Sequence, residues 1–169
     1  MLRLALFAML VATHQKIDVT FDRSNDLSQY RTFGWNKEQK PVENMANHLR
    51  LVNAIQKKMM SLGYRIDTRN PDVYVLYTVE QHTAVQTNST QSPSVWDPTN
   101  LQVKIDVSRE ELVSLEIQLK DAESNFLVWD AKGTYPLGTP DRAERQINEA
   151  VDDIFSRYPT EENEKEKKK

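Results

Sequence analysis

The chain contains no cysteine in its 169 residues, which excludes disulfides, thiolate-bound metals and a cysteine nucleophile together. Glycine is nearly as scarce. Gly34, Gly63, Gly133 and Gly138 are all there are, and no phosphate-cradling motif is built from them. A basic excess is missing as well: the formal net charge is −3 and the pI lies near 5.7, which argues against nucleic acid as a partner. Histidine occurs only as His14, His48 and His82, none in a recognisable metal motif. No G-x-S-x-G elbow accompanies the many serines. The acidic pairs Glu110-Glu111 and Asp152-Asp153 are sequence neighbours, whose side chains diverge on a strand or helix and cannot face each other for acid–base work. The expectation is a protein that is not an enzyme, with no catalytic residue, no metal ligands and no cofactor. Asn88-Ser89-Thr90 matches a glycosylation sequon, which matters only in a eukaryotic secretory route.

What is present is enough apolar material for one domain: 38% of residues are hydrophobic and 28% charged. Its centre is Leu112–Thr134, which reads as a β-hairpin. Val113, Leu115, Ile117 and Leu119 alternate with Ser114, Glu116, Gln118 and Lys120, so one face of this strand is apolar and the other wet. Asp121–Asn125 supplies the turn chemistry. Phe126–Trp129 returns, apolar on both faces.

Met1–Ala12 reads MLRLALFAMLVA, with Arg3 ahead of an apolar run too short to span a bilayer comfortably. We read 1–13 as a signal-like leader, either cleaved after Ala12 or Thr13 or retained in the membrane. The domain proper is placed at 16–159. Lys16–Phe21 is its first strand, 22–26 a turn, and Tyr30–Trp35 the second strand. Pro41 is expected to open a long helix reaching about Leu62, with Met45, Leu49, Val52, Ile55, Met59 and Leu62 as its apolar stripe and Gly63 as its left-handed cap. Tyr64–Asp67 is a short extension, and Asn70-Pro71 turns the chain into a central strand, Asp72–Glu80.

From Gln81 to Asn100 the composition collapses to Thr, Ser, Asn, Gln and Pro around a lone Trp96, and a mobile polar loop is expected over 81–100. Leu101–Val107 alternates again as a strand. Thr139 and Pro140 are suited to start a second helix, whose stripe is Ala143, Ile147, Ala150, Val151, Ile154 and Tyr158, and Pro159 ends it. Residues 160–169 read as a disordered charged tail. The fold class that follows is α+β: a two-layer sandwich with a mostly antiparallel sheet of about five to six strands and both amphipathic helices on one face. Leu49 and Val151 are expected to be core residues.

One non-catalytic surface stands out. Tyr74 and Leu76, on the sheet face away from the helices, join either Phe126 and Val128 or Leu127 and Trp129, with His82 and Trp96 beside them, as a candidate patch for a protein partner or a lipid-like ligand. The 81–100 loop either folds over that face or leaves it open.

The segments KIDVTFDRSNDLSQYRTFGW, NPDVYVLYTVE and SREELVSLEIQLKDAESNFLVWDAKGT, followed by a closing helix ending IFSRYP, resemble domain-of-unknown-function family 4136, a group of uncharacterised bacterial envelope lipoproteins. The likeness covers about Lys16 to Pro159. It implies an exported protein of the periplasm or cell envelope, associated with the membrane. The lipidated cysteine expected from the family after the leader is absent, and Thr13-His14 stand there instead. The resulting expectation is a non-enzymatic envelope domain that binds a protein partner or supports an assembly. The alternative is a small-molecule or lipid carrier using the sheet face and the 81–100 loop.

Overall fold

The computed structural model describes residues 17–21, 27–93 and 101–160. The expected leader, the turn at 22–26, Trp96 and the tail beyond Thr160 lie outside the described residues. Six strands form one sheet: β1 (Ile17–Phe21), β2 (Thr32–Trp35), β3 (Arg65–Ile66), β4 (Val73–Pro93), β5 (Leu101–Asp121) and β6 (Leu127–Pro136). Their order is β1-β6-β5-β4-β2-β3. The pairings around β5 and β6 are antiparallel, whereas β2 runs parallel to both β3 and β4. Two helices, α1 (Met45–Ser61) and α2 (Ala143–Phe155), form the second layer. The architecture is the α+β sandwich that the periodicities predict.

Alternation decides what the sheet buries. Val73, Val75 and Tyr77 of β4 stand in register with Asp121, Leu119 and Ile117 of β5, which in turn meet Trp129 and Ala131 of β6. All but Asp121 are buried in one cluster with Phe33 of β2, Leu51, Ala54, Ile55 and Met59 of α1, and Val151, Ile154 and Phe155 of α2. Trp129 stacks on Phe155, with ring centroids 5.2 Å apart. Between the helices, Lys58 Nζ meets Asp152 Oδ1 at 2.8 Å. At their C-terminal ends the Tyr64 and Tyr158 hydroxyls are 2.6 Å apart.

The turn between β5 and β6 forms as expected: the Asp121 carboxylate accepts the Ser124 N–H at 2.7 Å and the Glu123 N–H at 3.1 Å, and Asn125 takes a positive φ of 60°. Gly63 follows α1 with φ 93°, the left-handed conformation that ends a helix cheaply only with glycine.

Three expectations need correction. Gln81–Pro93 is not loop but the continuation of β4, paired residue for residue with Leu101–Val113 of β5. The stretch is polar and looks loop-like, yet its β-branched threonines suit a strand and the alternating β5 supplies a long-range partner. The first helix begins at Met45, not Pro41, with the Asn44 side chain accepting the Asn47 N–H at 3.1 Å as its cap. Its buried stripe is Leu51, Ala54, Ile55 and Met59, while Met45 and Leu49 are 58% and 55% exposed. Contact with α2 on one side and the sheet below turns this face inward, and the first turns of α1 project their apolar side chains to solvent.

Candidate interaction surface

The predicted patch does not assemble. Tyr74 and Leu76 lie on the outer sheet face, half-buried and opposite Lys120 and Gln118. Trp129 belongs to the other face, fully buried beneath α2, so the Phe126–Trp129 return strand presents its tryptophan to the core. Its indole Nε1 has no hydrogen-bond partner among the described residues. His82 is exposed on β4, opposite Leu112. Trp96 is outside the described residues.

Polar groups, not an apolar cleft, occupy the outer face. Lys132 Nζ reaches Glu80 Oε2 at 3.4 Å and Glu116 Oε2 at 3.6 Å. Gln118 Nε2 donates to Glu116 Oε1 at 2.8 Å. Burial pushes the Asp130 carboxyl above its usual range, and the neighbouring Glu116 charge adds to the shift. Asp130 Oδ1 is buried with no hydrogen-bond partner among the described residues. Among the described residues no group of three or more His, Asp or Glu side chains is arranged to hold a metal ion.

Under the helices the titratable groups are tyrosines. Burial raises Tyr77 to about 12 and pushes Tyr135 and Tyr158 higher still. Each has a structural partner. Tyr77 Oη is 2.5 Å from His48 Nδ1, and Tyr135 Oη donates to the Ala150 carbonyl at 3.2 Å. The phenols of Tyr77 and Tyr135 tie the sheet to the helices through these contacts.

The surface that sequence reasoning missed is the outer half of β4 and β5. On one side β6 ends at Pro136, opposite Leu112, and the Leu137 N–H then donates to the Glu111 carbonyl at 2.8 Å. On the other, β2 pairs with β4 only over Val73–Val75. The Gln39 carboxamide seals the next position, accepting the Tyr77 N–H at 2.8 Å and donating to the Tyr77 carbonyl at 3.0 Å. Beyond these points, from Thr83 to Pro93 and from Leu101 to Glu111, the two strands pair only with each other among the described residues. At about 3.4 Å per residue this ribbon projects about 35 Å from the sheet.

The ribbon is amphipathic. Val85, Ile105 and Val107 occupy the positions that continue the core-facing side, and they are 58%, 62% and 57% exposed. Gln86, Asn88, Ser108 and Glu110 stand on the other side. An isolated two-stranded ribbon is marginal in water, and three large aliphatic side chains on one face make it a surface that awaits cover. The alternation of Leu101–Val107 is the sequence signal that marks this arm.

A six-stranded sheet carrying two helices on one face, with one hairpin much longer than its neighbours, defines the class: an α+β sandwich domain with a projecting arm. The chain belongs to the family described as Domain of unknown function (DUF4136), whose model matches residues 17–160. A comparison with curated proteins gave no significant match. Among solved structures, a PDZ domain protein from Parabacteroides distasonis is similar with a TM-score of 0.60 and 14% identity, over 85% of this chain and 35% of that one. The chain thus spans about a third of that protein. The PelC dodecamer from Paraburkholderia phytofirmans is similar with a TM-score of 0.53 and 13% identity, over 84% of this chain and 96% of that one. Identities this low speak for the fold alone.

Proposed function

We propose that this chain is a non-catalytic module of the bacterial cell envelope that builds protein assemblies through its β4–β5 ribbon. The observation that carries the reading is the amphipathic arm itself, which exposes Val85, Ile105 and Val107 along strands that no third strand supports among the described residues. Strand edges and apolar faces of this kind are recruited by protein partners through main-chain pairing and side-chain cover. The similar PelC structure is that of a dodecamer, and a domain of this fold therefore serves in at least one assembly. The apolar run ahead of the domain supports an exported location. Among the described residues no helix is long and apolar enough to cross a membrane.

Two observations weigh against the carrier alternative: Trp129 is turned into the core, and the outer sheet face carries Lys132, Glu80, Glu116 and Asp130.

Photo-crosslinking residues placed at Val85 and Ile105 test the proposal in host cells, with Glu144 on the exposed side of α2 as the control. Protein adducts in the envelope fraction from the ribbon positions and not from Glu144 are expected. Adducts from Glu144 alone, or a chain retained in the cytosol, would overturn it.

A further inference from the structure

Building on the ribbon as the contact element, we infer that its partner is a second copy of this chain, added antiparallel along the open edge of β4. The two edges of the ribbon differ in kind. Between Gln81 and Pro93, β4 carries no Asp, Glu, Lys or Arg, whereas the facing part of β5 carries Lys104, Asp106, Arg109, Glu110 and Glu111. Charged side chains are the usual means by which an edge strand repels strand addition. The β5 edge has that protection along its length, whereas the open β4 edge carries one charge, Glu80, next to its Tyr77 end and paired with Lys132.

Which backbone groups lie open follows from alternation. Tyr77 directs its N–H and C=O to Gln39, away from β5, and the register of β4 with β5 runs without a break to Pro93. Every second residue after Tyr77 therefore presents both groups to the same edge: Val79, Gln81, Thr83, Val85, Thr87, Ser89 and Gln91. The edge has two natural ends. Gln39 closes it at Tyr77, and Pro93 has no N–H to donate. The midpoint of positions 77 and 93 is Val85. A two-fold axis there makes the edge pair with itself over its whole open length, Val85 meeting Val85, Thr83 meeting Thr87 and Gln81 meeting Ser89. No like charges face each other, and the cross-strand threonine pairs are favourable.

The product is a four-stranded sheet, β5-β4-β4-β5, in which the two marginal ribbons support each other. Its two-fold is normal to the sheet, so Val85, Ile105 and Val107 of both copies fall on the same face, between the two helix layers. An isologous contact of this type is the commonest basis of a closed assembly.

Thr87 and Val107 are direct cross-strand neighbours, and each directs its N–H to its own outer edge, so proline at either spares the β4–β5 ladder. The full chain is expected to run as a dimer or a multiple of it in light scattering at tens of micromolar. Thr87→Pro reduces it to the monomer mass, or to an assembly lacking the two-fold contact, while Val107→Pro leaves it unchanged and both keep the parent melting temperature. Because the chain has no cysteine of its own, Val85→Cys gives a second readout: mild oxidation yields a covalent homodimer, which Val107→Cys does not. A monomeric parent, a Thr87→Pro variant that still associates fully, or dimerisation lost at Val107→Pro overturns the inference. Ribbon crosslinks to a different protein alone would overturn it too, yet leave the proposed function standing.

Discussion

Asp72 and Thr32 hold each other in two directions. The Asp72 carboxylate accepts the Thr32 N–H at 2.8 Å, and the Asp72 N–H donates to Thr32 Oγ1 at 2.9 Å. The same Oδ2 also accepts the Arg31 N–H at 2.8 Å. This clasp starts the parallel pairing of β2 with β4, a connection that no tight turn can make.

The Arg31 amide, above all, holds the Asp72 carboxyl below its ordinary value, with the Thr32 groups adding to it. Asp121 is lowered in the same direction, chiefly by the Ser124 amide. A carboxyl whose folded value is depressed contributes stability that is fully present above its unfolded value near 3.9 and is lost as pH falls through the folded value. Asp72→Ala should cost about 2 kcal/mol at pH 7, measured by urea denaturation, and this difference should shrink below about pH 4. An undiminished difference at pH 2 would contradict the clasp.

Asp130 should behave with the opposite sign. Its carboxyl is raised, first by burial and then by Glu116, so the charged form is disfavoured in the folded state. The cost is present at neutral pH and is relieved as pH falls through the folded value. Asp130→Asn should therefore raise the melting temperature at pH 7. The gain should vanish in acid. A lower melting temperature at pH 7 would show that the ionised group is needed.

The two helices make unequal claims on the core. Val151 is 1% exposed, against 55% for Leu49. Val151→Asp buries a charge with no partner and should prevent folding, whereas Leu49→Asp should change stability by less than about 0.5 kcal/mol. Circular dichroism melts of the two variants check this, and equal losses would mean that α1 lies differently on the sheet.

A fourth test concerns close approach. A Cβ on Gly34 would sit 2.8 Å from the Asp67 carbonyl oxygen and 3.0 Å from Pro71 Cγ. Backbone cannot yield cheaply, so Gly34→Ala should cost about 1–3 kcal/mol by thermal melting. No loss would place β2 further from the Asp67–Pro71 turn.

Much of this was legible in the residues. Strict alternation over Val113–Leu119 and the turn chemistry of Asp121–Asn125 define the central hairpin, and the three- and four-residue spacing of Ile147, Val151 and Ile154 sets the buried face of α2. Trp129 was misplaced because a strand apolar on both faces leaves the choice of face to register. That register is set by a shift between Leu119 and Lys120, where Val128 is the extra residue on β6. Leu49 was misplaced because periodicity defines a stripe but not how far the neighbouring layer extends beneath it. The ribbon was hidden for a different reason. Its β4 half has no apolar alternation, and its strand conformation rests on β5, whose pairing is not written in the local composition. Gln39, which closes the β4 edge, has no signature at all in the sequence.

Amide hydrogen exchange of the ribbon, followed as the protein is diluted, tests the central claim most directly. The Thr83, Val85, Thr87 and Ser89 N–H groups lie on the open edge of β4 and would exchange within seconds in a lone ribbon. Slow exchange at high concentration that gives way to fast exchange on dilution is the predicted result. Equally fast exchange of these amides at every concentration, with the core amides of Val75 and Ile117 still protected, would contradict it.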